Sequence, residues 1–286
     1  MSVFSKFSVF LMSTVLALLG GPSVVFGSQY TVAEAHSQND GLGLEPPYSD
    51  TAGTVFDIIQ ESDPGTFTCL QYMGRGDRQI WDKRVDNEPI VNAFLFMSRH
   101  NDGTNIEIAI NPEFETVEDA RKEALRYAKP LGQLPTVLRQ GIQRFSVHKG
   151  RKGFHSGPGQ VVAYAATTDN RLSYDHLEET IFHESVHASW DAEHRLSPGW
   201  VDAQNSDGRF LTDYARNSPE REDLAETALF ACAILHYPDR FPPVDTADTL
   251  GAVPNRIEYI KNLLPPGSPI FFKSGTATNC AADAQE

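Results

Sequence analysis

Cysteine is scarce in this sequence. The three cysteines, Cys69, Cys232 and Cys280, form no Cys-x-x-Cys pair and are too few for a disulfide scaffold. A zinc ribbon and a dithiol redox centre are therefore excluded, and at most one intrachain disulfide can form. Cys232 lies in an apolar helical run, where we expect a buried small side chain. Cys69 and Cys280 flank the folded region and are the two that could pair in an oxidising compartment.

Basic charge is also low. Lysine and arginine total 24 against 38 aspartates and glutamates, so the formal net charge is -14. No cluster of basic residues offsets this balance. Because binding to phosphate backbones needs clustered positive charge, we expect no nucleic acid among the partners.

Long apolar runs are missing except near the amino terminus. Lys6 precedes an apolar run at residues 7–19, and small residues follow up to Gly27. A charged start, a short apolar stretch and small residues are typical of a secretory signal peptide. We expect residues 1–27 to be removed by cleavage near Gly27 or Ser28, with an uncleaved anchor as the alternative. The prediction is a secreted, extracellular protein without membrane contact after cleavage.

Internal repeats are absent, and the composition is that of a globular protein. Of the 286 residues, 40% are hydrophobic and 22% are charged, enough to bury a core without metal or disulfide staples. Residues 28–50 are polar and contain many turn-forming residues, which predicts a flexible leader or a pro-segment. We expect a single domain over residues 51–270, a tail over residues 271–286, and a monomer.

The order of the predicted elements indicates an α+β fold with a small mixed sheet. Strands are predicted at residues 93–97, 106–110, 145–148 and 161–165 from their alternation and the turn residues around them. After Ala165 the pattern becomes helical. It ends in a proline-rich stretch that we expect to be mostly irregular.

Two helices are predicted before this change of pattern. The first covers residues 117–127 behind an N-cap at Thr116, and its inward side chains are expected to be Ala120, Leu125 and Ala128. A shorter helix is predicted at residues 135–141. The first helix would cover one face of the sheet.

His183, Glu184 and His187 form a His-Glu-x-x-His motif. Asp175 and Glu178 have the spacing of a capping box, which predicts that the motif lies on a helix. Residues four apart lie one turn above each other, so both imidazoles can bind one metal ion with Glu184 beside them. Two neutral imidazoles suit zinc, and the carboxylate can take the proton of a metal-bound water.

A catalytic zinc needs a third protein ligand. Glu193, six residues after His187, would be that ligand in the metzincin pattern. That pattern needs a glycine helix break where this chain has Trp190, so we exclude it.

The other source of a third ligand is a later helix. Ser218 and Pro219 predict its N-cap and first helical position. Glu222 and Glu226 share one face of this helix beside an apolar stripe. Because two buried acids repel each other unless a cation is near, their spacing indicates a metal shell.

These motifs together resemble the gluzincin metallopeptidases. The His-Glu-x-x-His motif with the later Glu222-Asp223-Leu224-Ala225-Glu226 segment is most similar to the group related to the catalytic domain of anthrax lethal factor, where a tyrosine precedes the second helix. Tyr214 occupies the place of that tyrosine, with a spacing to Glu222 about one residue longer. Residues 134–242 also resemble a set of uncharacterised secreted proteins.

The resemblance implies a zincin-like fold, Zn²⁺ as cofactor and a peptide or protein substrate. It implies a role for six side chains: His183, His187 and Glu222 as zinc ligands, Glu184 as general base, Glu226 as the carboxylate that orients a ligand histidine, and Tyr214 as a donor to the oxyanion. It also implies that the strand at residues 161–165 is the sheet edge along which a peptide pairs.

Several alternatives stay open at this point. Asp191 is either a partner of a ligand histidine or part of the helix end, and Tyr214 could be a core tyrosine. The two histidines could be a surface pair. In function, the competing hypothesis is a zincin-fold extracellular protein that binds metal or a partner without cleaving it. The intact Glu184 argues against that hypothesis, and the ligand types also accept divalent ions other than zinc.

Overall fold

Six strands form one mixed sheet in the computed structural model, which describes residues 44–264. The strands are β1 (Phe67–Gln79), β2 (Ile90–His100), β3 (Asn105–Ile110), β4 (Arg144–His148), β5 (His155–Gly157) and β6 (Gln160–Tyr164). Their order in the sheet is β1-β2-β3-β4-β6-β5. The pairs β3–β4 and β4–β6 are parallel and the other three are antiparallel. The sheet is therefore mixed, and the α+β prediction is confirmed.

Ten α-helices and one short 3-10 helix complete the described part of the chain. The 3-10 helix is Pro112–Phe114, and the α-helices are α1 (Val117–Gln133), α2 (Thr136–Arg139), α3 (Ala165–Leu172), α4 (Leu177–Ser189), α5 (Asp191–His194), α6 (Pro198–Asp207), α7 (Asp213–Asn217), α8 (Asp223–His236), α9 (Pro243–Ala252) and α10 (Pro254–Leu263). Within residues 44–264, none of these helices has the length and apolarity that crossing a membrane requires.

The main core lies between one face of the sheet and the helices. Alternate side chains of β2, such as Phe94 and Phe96, enter this core, whereas Ala93 and Leu95 point to a smaller apolar cluster on the opposite face. This division follows from the two-residue period of a strand. Helix α1 packs on the sheet and on α4, and α4 in turn packs on α8. The motif helix is thus held between the sheet layer and a second long helix.

Helix α1 is longer than the sequence predicts. It begins after Thr116, whose side chain accepts a hydrogen bond from the Asp119 backbone N–H as expected of an N-cap, and it continues to Gln133. The prediction that Leu125 points inward is wrong, because this side chain is 45% exposed. Tyr127 fills the interior instead.

The predicted starts of the two site helices are wrong. Helix α4 begins at Leu177 without a side-chain cap, because Asp175 adopts a left-handed backbone conformation with φ 49° and cannot serve as N-cap. Helix α8 begins at Asp223 and not at Pro219, since the residues from Ser218 form turns in which Glu222 N–H donates to Ser218 O at 2.8 Å. Glu222 therefore precedes the helix that carries Glu226.

The proline-rich stretch after α8 is helical within the described residues, contrary to the prediction. Helices α9 and α10 begin at Pro243 and Pro254, each at the first helical position. Proline is tolerated there because the first backbone N–H groups of a helix have no intrahelical partner. The prolines thus mark helix starts.

The predicted terminal segments lie mostly outside the described residues. The signal peptide, most of the leader and the tail fall within residues 1–43 and 265–286, and Cys280 is among them. Cys69 is disulfide-bonded, and Cys232 is free and buried, as expected. The end of the leader that the structure describes is packed, since Tyr48 stacks on Phe230 with ring centroids 5.0 Å apart.

Candidate metal centre

Three side chains, two from α4 and one from the residue before α8, converge on one point. His183 and His187 lie one turn apart on α4, and Glu222 immediately precedes α8. The Nε2 atoms of the two histidines are 3.2 Å apart, and Glu222 Oε2 lies 3.4 Å from that of His183 and 3.2 Å from that of His187. These side chains are at most 12% exposed. The alternative of a surface histidine pair is therefore wrong.

The separations of these atoms fit a tetrahedral metal ion. Zinc–ligand bonds of about 2.0–2.1 Å give a tetrahedron with edges of about 3.3 Å. The three measured separations are 3.2, 3.2 and 3.4 Å. Two imidazoles and a carboxylate suit zinc and other divalent ions, so this group could hold a metal ion.

The electrostatics of the group are those of a cation site. Burial raises the pKa of the Glu222 carboxyl, but the two histidines outweigh this effect and the pKa falls well below its usual range. Burial lowers the pKa of His187, but its bonds with Asp191 and Glu222 outweigh that and raise the pKa to about 10. The pocket thus favours a positive charge between the ring nitrogens and the carboxylate. Arg221 Nε lies 3.2 Å from the second oxygen of Glu222.

Two further carboxylates face the other ring nitrogens of the histidines. His187 Nδ1 lies 3.0 Å from Asp191 Oδ2, and His183 Nδ1 lies 3.4 Å from Glu226 Oε1. Thr51 donates to the Glu226 carboxylate through its backbone N–H at 3.0 Å and its hydroxyl at 2.8 Å. Such partners fix the orientation and the tautomer of a metal-binding histidine.

Glu184 lies beside the group and lines a pocket of about 320 Å³. Its Oε2 atom accepts a short hydrogen bond from the Ser156 hydroxyl. Ser156 is the central residue of β5, which pairs antiparallel with β6. The edge strand next to α4 is therefore β5, and the expectation that residues 161–165 form the sheet edge is wrong. A three-residue His-Ser-Gly segment is too short to show the alternation that predicts a strand.

Tyr214 reaches the same pocket from α7. Its side chain is 46% exposed, so the alternative of a core tyrosine is wrong. Burial and the nearby Glu222 carboxylate raise the pKa of its phenol to about 12. The hydroxyl therefore keeps its proton at neutral pH and can donate a hydrogen bond.

Four other histidines of the described residues lie in different surroundings. His148 and His176 are buried and not surface residues, with 0% and 4% exposure. His155 lies half-buried on the edge strand, where burial lowers its pKa. His194 contacts the Tyr259 hydroxyl at 2.9 Å through Nδ1, away from the ligand group.

Sequence reasoning missed three side chains that contact the group. Ser156, Thr51 and Arg221 bond to Glu184, Glu226 and Glu222, respectively. Arg221 is adjacent to Glu222 in sequence, which is a usable signal. Thr51 and Ser156 are distant in sequence from their partners, and no local pattern marks them.

No family model, no curated protein and no solved structure matches this chain. The observations that bear on function are therefore the motif spacing and the geometry of the His183, His187 and Glu222 group.

Proposed function

We propose that the protein is a secreted, zinc-dependent metallopeptidase of the gluzincin type with a zincin-like domain. One observation carries this proposal: the ligand atoms of His183, His187 and Glu222 lie at the separations of three corners of a zinc tetrahedron. Glu184 stands next to this group in an open pocket. Secretion is supported by the pattern of Lys6 and the apolar run at residues 7–19.

The three ligand side chains would hold the metal, and two carboxylates would keep the histidines in place. A divalent ion bound here would polarise the scissile carbonyl and acidify water. Asp191 orients the imidazole of His187, and Glu226 faces that of His183. Each ring therefore presents its Nε2 lone pair to the site.

Glu184 is the proton carrier in this proposal. Its carboxylate takes a proton from the attacking water and passes it to the leaving amine, so that one group acts as base and then as acid. The Ser156 hydroxyl bonds to Oε2 and leaves Oε1 available for the water.

Tyr214 supports the step from the other side of the pocket. Its protonated phenol donates a hydrogen bond to the carbonyl oxygen as negative charge develops there. Strand β5 offers an edge on which an extended peptide could pair, beside the side chain that holds Glu184. The pocket thus combines a base, an oxyanion donor and a backbone edge.

The test is digestion of a peptide library by the zinc-loaded protein, with and without a chelator. We expect cleavage that the chelator abolishes. The Glu184→Gln variant should retain zinc at one ion per chain, measured by mass spectrometry of metals, while turnover falls by a factor of about 10³ or more. The Glu193→Gln variant, whose side chain is 83% exposed, is the matched control and should be fully active.

Two results would count against the proposal. Unchanged turnover in Glu184→Gln would refute its role as base. Stoichiometric zinc without cleavage of any peptide would instead favour a non-catalytic metal-binding protein.

A further inference from the structure

Two basic side chains line the pocket beside Glu184. Lys83 comes from the loop between β1 and β2, and Arg171 comes from the last turn of α3. Both side chains are partly buried. The proposed reaction assigns the metal ligands, the base and the oxyanion donor of this pocket, but it uses neither of these cations. Their positive charge is therefore available to a group of the substrate away from the cleaved bond.

Lys83 is held in place by neutral partners. Its backbone N–H donates to the Tyr164 hydroxyl at 2.6 Å, and its ammonium donates to the Phe154 carbonyl oxygen at 2.6 Å. An ammonium has three N–H donors, so two remain after this bond. Lys83 forms no ion pair within the described residues. Burial lowers the pKa of the ammonium and the nearby Glu184 carboxylate raises it, in agreement with a cation on the Glu184 side of the pocket.

Arg171 carries a guanidinium without a counter-ion. The residue lies beside the start of α4, since the His176 backbone N–H donates to the Arg171 carbonyl oxygen at 3.0 Å. Its Nε atom is buried without a hydrogen-bond partner, and the side chain forms no ion pair within residues 44–264. Partial burial removes water from such a group, and this cost is not compensated by a bond to the protein. A carboxylate in the pocket would supply the missing acceptor and the missing negative charge.

The carboxylates that line the same pocket do not neutralise these two cations. Glu226 accepts two hydrogen bonds from Thr51 and faces His183. Glu179 is 0% exposed, and its Oε1 atom accepts from two backbone N–H groups at 2.7 and 2.8 Å. Asp50 accepts from a backbone N–H of its own turn at 2.8 Å and forms no ion pair among the described residues. Asp50 opposes an anionic ligand, so its removal should strengthen the binding of one.

The loop that borders the pocket adds further positive charge. Gly153 lines the pocket, and a Cβ atom added to it would lie 3.8 Å from the Lys83 ammonium. The residues just before it include Lys149, Arg151 and Lys152, which are exposed and form no ion pair in the described part of the chain. This border is basic although the whole chain has a formal net charge of -14. Its field attracts acidic peptides to this side of the pocket.

We infer that the side of the pocket formed by Lys83 and Arg171 binds a carboxylate of the substrate, so that the protein cleaves peptides beside an acidic residue or close to a free carboxyl terminus. The inference rests on the proposed peptidase function and names its substrate class. A carboxylate has two oxygens that accept from ammonium and guanidinium donors, whereas a basic side chain would be repelled. Lys83 and Arg171 are then specificity-determining residues.

The first test uses the zinc-loaded wild-type protein and a proteome-derived peptide library. Mass spectrometry of the products should find aspartate or glutamate enriched at one position near the cleaved bond, or cleavage confined to the carboxyl-terminal end of the peptides. Matched peptides with glutamate or glutamine at that position, each with a free or an amidated carboxyl terminus, then distinguish the two sources of the carboxylate. The preferred peptide should exceed its neutral match in kcat/KM by about 10-fold or more, as expected for a charge-assisted hydrogen bond.

The second test places this preference on the two cations. In the double variant Lys83→Gln/Arg171→Gln, the ratio of kcat/KM between the charged and the neutral peptide should fall by about 10-fold or more. Asp50→Asn should raise the same ratio, because it removes a negative charge from the pocket. Lys122→Gln is the matched control and should keep the ratio, since Lys122 lies on α1 with a side chain that is 66% exposed and does not line the pocket.

The ratio compares two peptides on one variant, so a general loss of activity cancels. If the double variant does not fold, the two single variants and Asp50→Asn decide, and unchanged ratios in all three would overturn the inference.

The outcomes separate the two proposals. Cleavage by the wild-type protein without a preference for a carboxylate would overturn this inference alone, as would a preference that a folded double variant retains. Absence of any cleavage by the wild-type protein would overturn the proposed function, and this inference with it.

Discussion

At the scale of single residues, Asp191 controls how His187 faces the metal group. The carboxylate bonds to Nδ1, on the side of the ring away from Glu222. This bond sets the tautomer with a free lone pair on Nε2. Arg195 holds the same carboxylate oxygen at 3.5 Å.

Replacing Asp191 should therefore weaken metal binding without removing a ligand. In Asp191→Ala we expect zinc affinity to fall about 10- to 100-fold, measured by competition with a chromophoric chelator. Glu193→Ala changes an exposed acid on the same short helix and should leave the affinity within about twofold. Equal zinc affinities of the two variants would show that Asp191 does not contribute to metal binding.

The sequence could identify those site residues that local spacing brings together. His183, Glu184 and His187 share one helix, so the helical period alone predicts their common side. Glu222 and Glu226 could be predicted only from the acidic pattern of their segment together with the resemblance to a known family. Thr51 escaped prediction because its role depends on a contact with Glu226, which lies 175 residues further along the chain.

At the scale of elements, the sequence predicted a strand or helix correctly where the apolar pattern of the side chains matched their burial in the structure. The alternation of β3 follows its burial in the sheet. Strand β1 was missed because its outer half, from Met73 to Gln79, carries glycine and charged residues and is largely exposed. Helices α9 and α10 were missed because their first residues are prolines, which sequence rules also assign to irregular segments.

Helix α1 and strand β1 meet at a point that tolerates only glycine. A Cβ atom added to Gly132 would lie 2.7 Å from the backbone nitrogen of Phe67, which cannot move without shifting the strand. We expect Gly132→Ala to lower the free energy of unfolding by about 1–3 kcal/mol, measured by urea denaturation.

A second helical glycine provides the control for this prediction. Gly251 in α9 has open space around its added Cβ, so Gly251→Ala should be neutral or stabilise the protein by up to about 1 kcal/mol, because alanine favours helices. A loss of stability in Gly251→Ala equal to that in Gly132→Ala would show that close packing is not the cause.

At the scale of the whole molecule, buried charges join distant segments. Arg256 on α10 is fully buried and pairs with Asp207 at the end of α6 and with Asp223 at the start of α8. Asp223 follows Glu222 in sequence, so the last described helix helps to position the third residue of the metal group. Loss of one partner would leave a buried charge unpaired, which is strongly destabilising.

Buried neutral histidines should make the folded protein sensitive to acid. Burial, together with Arg139, lowers the pKa of His100 to about 3, against 6.5 for an exposed ring. Between these pH values the unfolded chain binds a proton that the folded chain does not, so stability falls as the pH falls. This histidine contributes up to about 1.4 kcal/mol per pH unit.

Urea denaturation at several pH values between 7 and 4 measures this dependence. The free energy of unfolding of the wild type should fall more over this range than that of His100→Gln, because glutamine binds no proton in the unfolded chain. Glu179 acts in the opposite sense in both proteins, since burial raises its pKa to about 7, and it therefore cancels in the comparison. If the free energy of unfolding depended on pH in the same way in both proteins, the prediction would be contradicted.

The two hydrogen bonds from Thr51 to Glu226 set a limit on how the chain can be matured. If an activating protease trims the predicted leader, its cut must fall before Tyr48, since Tyr48 stacks on Phe230 and Thr51 holds the carboxylate behind His183. A cut further downstream would remove the residues that hold Glu226 behind His183.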